Sequence, residues 1–589
     1  MKKYKFFALA FAALTLGACS SDDVVDNGQG GTVPAGEPGY VSLAINLPTQ
    51  PSSRANDKFD DGTPEEYDVQ NATLLLFAGA SESAAKFASA YDLPVTGFNT
   101  DGTTDQITEK ATIVKEITVP TTAAEENIYA LVVLNDNNII TIGENNSATI
   151  GGESFTGTLT DLTTKVVATV DDAADLTGQG FLMSNAPLYS AQGGNVAVAP
   201  AGTVSTLAEI DKSKIYSTEA MASANPATTI YVERAVAKVT VNATDNSNVG
   251  QNNIAAYTID GWTLDVTNKK TYLVRNVAPQ TSWWAYKAEG SNDYRFVGSL
   301  PVAEGFYRTY WGQDPNYDAY VAADFNVAKG TTPADETLEA PGQTTPLYCL
   351  ENTFNVENMN ENQTTRVILK ASLDVNGAEE GTGDFYILNG VTSQIYTNAG
   401  VINEIKRQIQ IWIENNKATY FTGNVQITEN DLTVNLPTST GGYVDITSVV
   451  LNSGVVADEA WAAGQDLTSF NKALKTEVAR LNENGLSIAY YKNGESYYPI
   501  KIRHFDDSQT PWTANSDGIS YDNNDESKYL GRYGALRNNW YDITVNGIRN
   551  IGYPEVPDVT NKPDDPENSY ISVSINVLSW AKRTQDADL

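Results

Sequence analysis

Few side chains of this chain have the type and spacing that covalent chemistry requires. Among 589 residues there is a single histidine, His504, in the strand-like segment YYPIKIRHF. A catalytic Ser-His-Asp or Cys-His arrangement would have to use it, because each needs an imidazole as its base. We interpret His504 instead as a half-exposed strand residue. The 73 acidic residues make many accidental carboxylate pairs, so pairing alone is no evidence for sugar hydrolysis. The sequence therefore predicts no catalytic site, no enzymatic activity and no cofactor.

Cysteine chemistry is indicated at one position near the start of the chain. Residues 1–19 begin with a basic segment and continue with about ten apolar residues, too few to span a bilayer. They end with Leu-Gly-Ala before Cys19, an order that resembles a bacterial lipobox, in which the cysteine is lipid-modified and becomes the new N-terminus. We expect a lipoprotein signal peptide at 1–19 and a lipid such as palmitate on Cys19, which would anchor the precursor in the outer membrane. An ordinary signal peptide with a chance cysteine is the alternative.

Charge and ligand content exclude two further classes of protein. The formal net charge is −35, and such a surface repels phosphate backbones, so we predict no nucleic-acid partner. With two cysteines, one histidine and no CxxC motif, the chain lacks a zinc ligand set. The acidic cluster DNNDES (522–527) lacks a complete calcium loop, so we predict no metal site.

Strands separated by polar turns form most of the predicted structure. Apolar runs of strand length occur at 72–78 (ATLLLFA), 128–135 (IYALVVLN) and 366–375 (RVILKASLDV), with turn residues between them. Cys349, in PLYCL, is expected to be a small apolar residue of such a strand. We therefore predict an all-β fold, rich in strands with a few short helices.

Two helices are predicted as packing elements. Apolar residues repeat at helical spacing from Leu467 to Leu481, with Asp466 placed to cap the start and Gly485 just past the end. A second helix is predicted from Val401 to about Ile409.

One strand pattern occurs near both ends of the chain. Residues 40–47 read YVSLAINL, and residues 570–577 read YISVSINV. In both, apolar residues alternate with small or polar ones, which predicts a strand with one buried face. The apolar positions are Val41, Leu43, Ile45 and Leu47 in the first copy, and Ile571, Val573, Ile575 and Val577 in the second. Alternating strands are common, so chance similarity is an alternative explanation.

The flanking segments suggest why the pattern is repeated. A polar loop with one arginine, Arg54, follows the first copy, and a cut there would let that strand leave. A Pro- and Asp-rich stretch, 552–569, precedes the second copy, and we expect it to be an extended spacer. The second copy, which Trp580 extends, has nothing local to pair with. We therefore predict that the second copy of one molecule fills the groove vacated in another, by strand addition. Each molecule would be both donor and acceptor, so the contact builds a filament.

These segments resemble a known family. The chain is similar to the fimbrillins of Bacteroidales type V pili, most closely to the Mfa-type (minor fimbria) shaft subunits. The segments that carry the resemblance are LGAC, SSRAND, IYALVVLN, YVERAVAKV, LRNNWYDITVNGIRNIG and SINVLSWAKRTQDADL. The resemblance implies two transthyretin-like β-sandwich domains, surface display, and proteolytic maturation by a trypsin-like or arginine-specific protease between Arg54 and Ala55. It also implies polymerisation through a donor strand at 570–580, with anchor and tip subunits as partners.

The expected domain organisation follows from these features. After the signal peptide come a tether and first strand (20–54), an N-terminal sandwich (55–228), a C-terminal sandwich (229–551), and a linker with the donor strand (552–589). The alternative function is a pilus tip adhesin or a monomeric glycan-binding surface lipoprotein, with host proteins or glycans as partners. Aromatic pairs such as Trp283-Trp284 or Tyr497-Tyr498 would then stack on sugars.

Overall fold

The predicted all-β fold is confirmed by the computed structural model of the chain. It describes residues 33–47, 66, 68–98, 110–124, 126–169, 180–277, 293–328, 337–510, 526–565, 571–578 and 582–583. Four residues with predicted roles, Cys19, Arg54, Ala55 and Trp580, lie outside these ranges. Among the described helices, none is long and apolar enough to cross a membrane.

The first part of the chain consists of strands with two short helices. The strands are β1 Pro38–Asn46, β2 Ala72–Gly79, β3 Lys86–Asp92, β4 Lys110–Thr118, β5 Asn127–Leu134, β6 Ile140–Ile142, β7 Ala148–Ile150, β8 Glu153–Phe155, β9 Val166–Thr169, β10 Met183–Asn185, β11 Leu188–Tyr189, β12 Gly194–Asn195, β13 Val204–Ser205, β14 Ala208–Ile210 and β15 Thr228–Arg234. The helices are α1 Leu159–Thr163 and α2 Glu219–Ala224.

The second part adds further strands and the two long helices. The strands are β16 Val236–Asn242, β17 Ile254–Asp265, β18 Thr267–Asn268, β19 Lys270–Tyr272, β20 Asp293–Tyr294, β21 Val297–Ala303, β22 Phe306–Thr309, β23 Phe325–Asn326, β24 Gly342–Leu350, β25 Arg366–Val375, β26 Phe385–Leu388, β27 Leu432–Asn435, β28 Gly442–Val444, β29 Ser448–Leu451, β30 Ile488–Tyr491, β31 Glu495–Lys501, β32 Trp540–Ile548, β33 Ile571–Leu578 and β34 Lys582–Arg583. The helices are α3 Asn398–Tyr420 and α4 Leu467–Asn484.

An eight-stranded sheet organises the N-terminal region. Seven of its strands follow the order β3-β2-β5-β10-β15-β1-β4, and β14 also pairs with β5. The apolar runs of β2 and β5 lie side by side, with Leu75 opposite Leu131, and both residues are fully buried. Strands that are apolar on both faces are expected in the interior of a sheet, which is where these two lie. β1 is also an interior strand, between β15 and β4.

Two sheets enclose the core of the C-terminal region. One has the order β24-β16-β32-β33-β34 and the other has the order β17-β25-β31. Val239 and Ile543 of the first sheet share a buried cluster with Trp262 and Leu369 of the second. Two sheets packed face to face over one core are the arrangement of a β-sandwich.

A helical insertion with its own core interrupts this sandwich between β25 and β31. The insertion contains α3, α4 and strands β26 to β30. Strand β26 is shared by both cores, since Phe385 and Ile387 point into the sandwich while Tyr386 and Leu388 face the helices. Because successive strand residues point to opposite faces, two adjacent cores can share one strand. This insertion was not predicted from the sequence.

Helix α4 has its predicted bounds, whereas helix α3 does not. The predicted bounds of α4 are confirmed, since the Asp466 carboxylate accepts a hydrogen bond from the Ser469 amide and Gly485 is the C-cap. Helix α3 is much longer than predicted. Its buried residues continue at a spacing of four from Val401 to Ile413, past the predicted end near Ile409. The polar residues between them are exposed or half-buried and do not end the helix.

The change from one sheet to the other occurs at a single residue. β15 belongs to the N-terminal sheet and β16 to the C-terminal sandwich, with the buried Ala235 between them. The boundary predicted between residues 228 and 229 therefore lies one strand before the change of sheet. The mostly apolar pattern of 228–244 predicts one strand near the join of the two domains. It does not show the break at Ala235, because the residues on either side of Ala235 are buried.

A buried ion pair links Glu66, six residues before β2, to the sandwich at this junction. The Glu66 carboxylate lies 2.7 Å from Lys238 Nζ and accepts a 2.6 Å hydrogen bond from the Tyr348 hydroxyl. Its backbone oxygen accepts a bond from Arg234 Nε at 2.9 Å. Burial alone would raise the pKa of Glu66, but the Lys238 ammonium and these hydrogen bonds hold it below its ordinary value. The chain is therefore held firmly 12 residues after Arg54.

We expect Lys238→Met to lower the free energy of unfolding by about 3–5 kcal/mol, because it leaves the Glu66 carboxylate buried without its cation. The double variant Glu66→Gln/Lys238→Met removes both charges and should recover most of that loss. Equilibrium unfolding in urea, followed by tryptophan fluorescence, measures both. If Lys238→Met is as stable as Glu66→Gln/Lys238→Met, that result would contradict the assigned ion pair.

Candidate strand-exchange site

β1 is hydrogen-bonded along both of its edges. It runs antiparallel to β4, with Leu43 opposite Ile113, and parallel to β15, with Leu43 opposite Thr228. Before β15 begins, the same edge is completed by reciprocal bonds between Tyr40 and Tyr216 at 2.7 and 3.0 Å. The Ala227 amide also donates to the Ser42 carbonyl at 2.8 Å. Removing β1 would therefore expose two unpaired strand edges, which is a costly state.

The four apolar side chains of β1 form part of the N-terminal core. Val41, Leu43 and Ile45 are 0% exposed and Leu47 is 2% exposed. Each belongs to the same buried cluster as β2 and β5. Burial of such side chains contributes about 1.5–3 kcal/mol each, so the groove without β1 has a strong preference for an apolar occupant.

The second face of β1 is buried as well, so the prediction of one buried face was wrong. Ser42 is 0% exposed and Ala44 is 1% exposed, and α2 packs against both β1 and β4. The Ser42 hydroxyl has no hydrogen-bond partner among the described residues. Small side chains at these two positions fit a strand that is covered on both faces.

We expect Ser42→Ala to raise the free energy of unfolding of the uncut protein by about 1 kcal/mol, because it removes a buried hydroxyl without a partner. Ala44→Ser is the matched control on the same face of the strand, and it should destabilise by a similar amount. Thermal unfolding of the two variants measures both effects. Destabilisation by Ser42→Ala would show that the hydroxyl has a partner after all.

The C-terminal copy has a partner within its own chain, which the sequence analysis did not foresee. β33 pairs antiparallel with β32, with Ile575 opposite Ile543 and Val573 opposite Val545. Ile575 is half-buried and packs against the sandwich core. On its other side, among the described residues, β33 pairs only with the two-residue strand β34. The prediction failed because β32 had an open edge and the linker returns the chain to it.

Most of the linker is also bound to the body of the protein. Tyr553 and Tyr497 exchange backbone hydrogen bonds of 2.8 and 3.0 Å, and Val556 is fully buried. The Pro557 carbonyl accepts a hydrogen bond from the Arg366 guanidinium. The expectation of an extended spacer over the whole of 552–569 is therefore wrong for residues 552–565. Its backbone groups find partners on the sandwich that a sequence pattern does not reveal.

Other residues with predicted chemistry are buried. His504 is 3% exposed, with Nδ1 2.9 Å from the Tyr541 hydroxyl, so the prediction of a half-exposed residue was wrong. Aromatic rings of Phe505 and Tyr541 pack around it. Burial raises the pKa of the Cys349 thiol to about 12, which makes it a poor nucleophile. Tyr497 and Tyr498 are fully buried and do not present a surface for sugar stacking, while Trp283 and Trp284 lie outside the described residues.

Comparisons with known proteins identify one family and several distant structures. The sequence model described as "Major fimbrial subunit protein type IV, Fimbrillin, C-terminal" matches residues 489–586. No curated protein matches the chain. A solved fimbrilin (FimA) from Porphyromonas gingivalis W83 is 12% identical, covering 91% of this chain and 96% of its own, with a TM-score of 0.34.

Two further solved structures are also distant. The tip fimbrial protein Mfa3 from Porphyromonas gingivalis is 11% identical over 92% of this chain and 100% of its own, with a TM-score of 0.27. The fimbrial anchor protein Mfa2 from the same organism is 12% identical over 56% and 78%, with a TM-score of 0.19. At these TM-scores structural likeness alone supports no conclusion. The family model matches residues 489–586, which contain both β32 and β33, and this match confirms the resemblance to fimbrillins over that part of the chain.

Proposed function

We propose that the protein is a structural subunit of a surface pilus and forms its shaft. The precursor is exported as a lipoprotein, tethered to the outer membrane through Cys19, and cut between Arg54 and Ala55. The segment with β1 then leaves, and residues 570–580 of a second copy occupy the groove of residues 40–47. The partners are copies of this chain in a head-to-tail polymer, the anchor and tip subunits of the pilus, and the processing protease.

The observation that carries this proposal is the contrast between the two matching strands. β1 pairs along both edges and is buried on both faces, whereas β33 pairs fully only with β32. By moving into the groove, β33 would give up its hydrogen bonds to β32 and would form hydrogen bonds along both of its edges, as β1 does with β4 and β15. Strand exchange is therefore favoured by hydrogen bonding as well as by burial.

The side chains of the two copies also match in size. Ile571 replaces Val41, Val573 replaces Leu43, Ile575 retains the isoleucine of position 45, and Val577 replaces Leu47. The set of four therefore loses a net single methylene, worth about 0.8 kcal/mol. Full burial of the four side chains would contribute about 6–12 kcal/mol before the cost of ordering the strand. A one-residue slip would turn the apolar side chains to the wrong face, so the register is well specified.

Limited proteolysis followed by electrophoresis tests the proposal. The secreted part, residues 20–589, is cut lightly with trypsin, and N-terminal sequencing confirms the loss of residues up to Arg54. The product is then run unheated and boiled on a denaturing gel. We expect a ladder of multimers that collapses to one band on boiling. A single band without heating, despite complete cleavage, would contradict self-polymerisation and favour a monomeric surface binder.

A further inference from the structure

Two consecutive aspartates hold the end of the linker against the sandwich. Asp564 donates its amide to the Met359 carbonyl at 3.1 Å, and its own carbonyl accepts from Lys501 Nζ at 2.6 Å. Its carboxylate accepts a 3.1 Å hydrogen bond from the Thr364 hydroxyl. Asp564 is 1% exposed, so water has little access to compete for these hydrogen bonds.

Asp565 is held by a second set of partners. Its carboxylate forms an ion pair with the Arg532 guanidinium and accepts a 3.0 Å hydrogen bond from the Tyr533 hydroxyl. Arg532 is itself fixed by the Asp507 carboxylate at 2.5 Å and the Thr510 carbonyl at 2.7 Å. A buried carboxylate is strongly disfavoured without its cation, so this contact is costly to break.

We infer that Asp564 and Asp565, with Lys501, Arg532 and Tyr533, form a linker clamp that stays closed when β33 moves to another copy. This inference rests on the proposed function. Only residues 566–570 then lie between the clamp and the donor strand. The six Cα–Cα steps from Asp565 to Ile571 span at most about 20 Å. The full linker of 552–569 would span about 60 Å if it were detached.

The clamp therefore defines an interaction surface for a second copy of this chain. The groove of the next subunit must begin within the reach of residues 566–570. The face around Asp565 then lies against that subunit, and it includes the Asp507 side chain, which is 57% exposed. A short connection also restricts the orientation of successive subunits, because the effective concentration of a tethered strand falls to near zero where the tether cannot span the gap.

Linker-length variants test this inference in the cleaved protein. One variant deletes residues 567 and 568. Its matched control, Glu567→Ala/Asn568→Ala, keeps the length and removes the same side chains. A third variant combines the deletion with Asp564→Ala/Asp565→Ala, which releases the clamp. Initial rates of multimer formation are read on unheated gels, and thermal unfolding of each uncut variant shows whether it is folded.

We expect wild type and the length-matched control to form ladders at the same rate, and the deletion to be slower by about tenfold or more, because the tether no longer spans the gap. Releasing the clamp should restore most of that rate. A folded deletion variant that polymerises like wild type, or a released variant with no recovery, would overturn the inference. If the wild-type protein forms no ladder, that result would instead contradict the proposed function, and this inference would fail with it.

Amide hydrogen exchange gives a second measurement that does not depend on variants. Residues 552–565 should be equally protected in the cleaved monomer and in the polymer, because the clamp remains closed in both. Loss of their protection on polymerisation, with the ladder still formed, would overturn the inference while leaving the proposed function intact.

Discussion

We expect Ile575→Asp to abolish the multimer ladder while leaving the cleaved protein monomeric and folded. Ile575 corresponds to Ile45, which is 0% exposed in the N-terminal core. A carboxylate at that point would be buried without a cation, at a cost of at least about 4 kcal/mol. A loss of this size lowers the equilibrium constant for exchange by about a thousandfold. The unheated gel measures the effect, and thermal unfolding shows that the monomer is intact.

Two conservative variants serve as controls for this position. Ile575→Val removes one methylene group and should weaken the ladder by about 0.5–1.5 kcal/mol without abolishing it. Ser572→Ala should retain or strengthen the ladder, because Ser572 corresponds to Ser42, whose buried hydroxyl has no partner among the described residues. If Ile575→Asp polymerises like Ile575→Val, residue 575 does not enter the pocket of Ile45.

We expect Arg54→Ala to keep the precursor monomeric in the presence of an arginine-specific protease. Arg54 is the first arginine of the chain, and the next, Arg234, is fully buried. Without cleavage β1 keeps both of its ladders and its core contacts, so an incoming strand finds no open groove. We expect complete loss of both cleavage and ladder, measured by N-terminal sequencing and unheated gels.

Lys58 provides the matched control, because it is a second basic residue only four positions after Arg54. Lys58→Ala should leave cleavage by the arginine-specific protease unchanged. With trypsin, which also cuts after lysine, only the double variant Arg54→Ala/Lys58→Ala should stay monomeric. Polymer formation by uncleaved Arg54→Ala would mean that β1 does not have to leave.

Local patterns predicted the parts of this fold that depend on local physics. The alternation of apolar residues in 40–47 correctly indicated a strand, and the cap residues Asp466 and Gly485 correctly bounded α4. Both signals arise within a few residues of the element that they describe. The matching patterns at the two chain ends were also visible before any pairing was known.

Features that depend on contacts between distant parts of the chain could not be predicted from local sequence patterns. The pairing of β33 with β32 depends on an open edge and on a linker whose partners, such as Tyr497 and Arg366, lie far away in the sequence. The burial of Ser42 depends on tertiary packing around β1, to which α2 contributes contacts, and no property of β1 itself reveals it. The change of sheet at Ala235 leaves no mark in the apolar pattern because the strands on either side are both buried.

In-register strand exchange places residue 574 of one copy where residue 44 lies in another. Ala44 lies opposite Thr112 of β4. Cysteines at Ser574 in one chain and Thr112 in a second should therefore come within the 4.4–6.8 Å Cα separation that a disulfide needs, since antiparallel partners lie about 4.5–5.5 Å apart. The two variants are mixed, cleaved and oxidised, then boiled and run without reductant. A covalent dimer from Ser574→Cys with Thr112→Cys, and none from Val573→Cys with Thr112→Cys, is the predicted result. No dimer from the first pair, or equal yields from both pairs, would contradict in-register exchange.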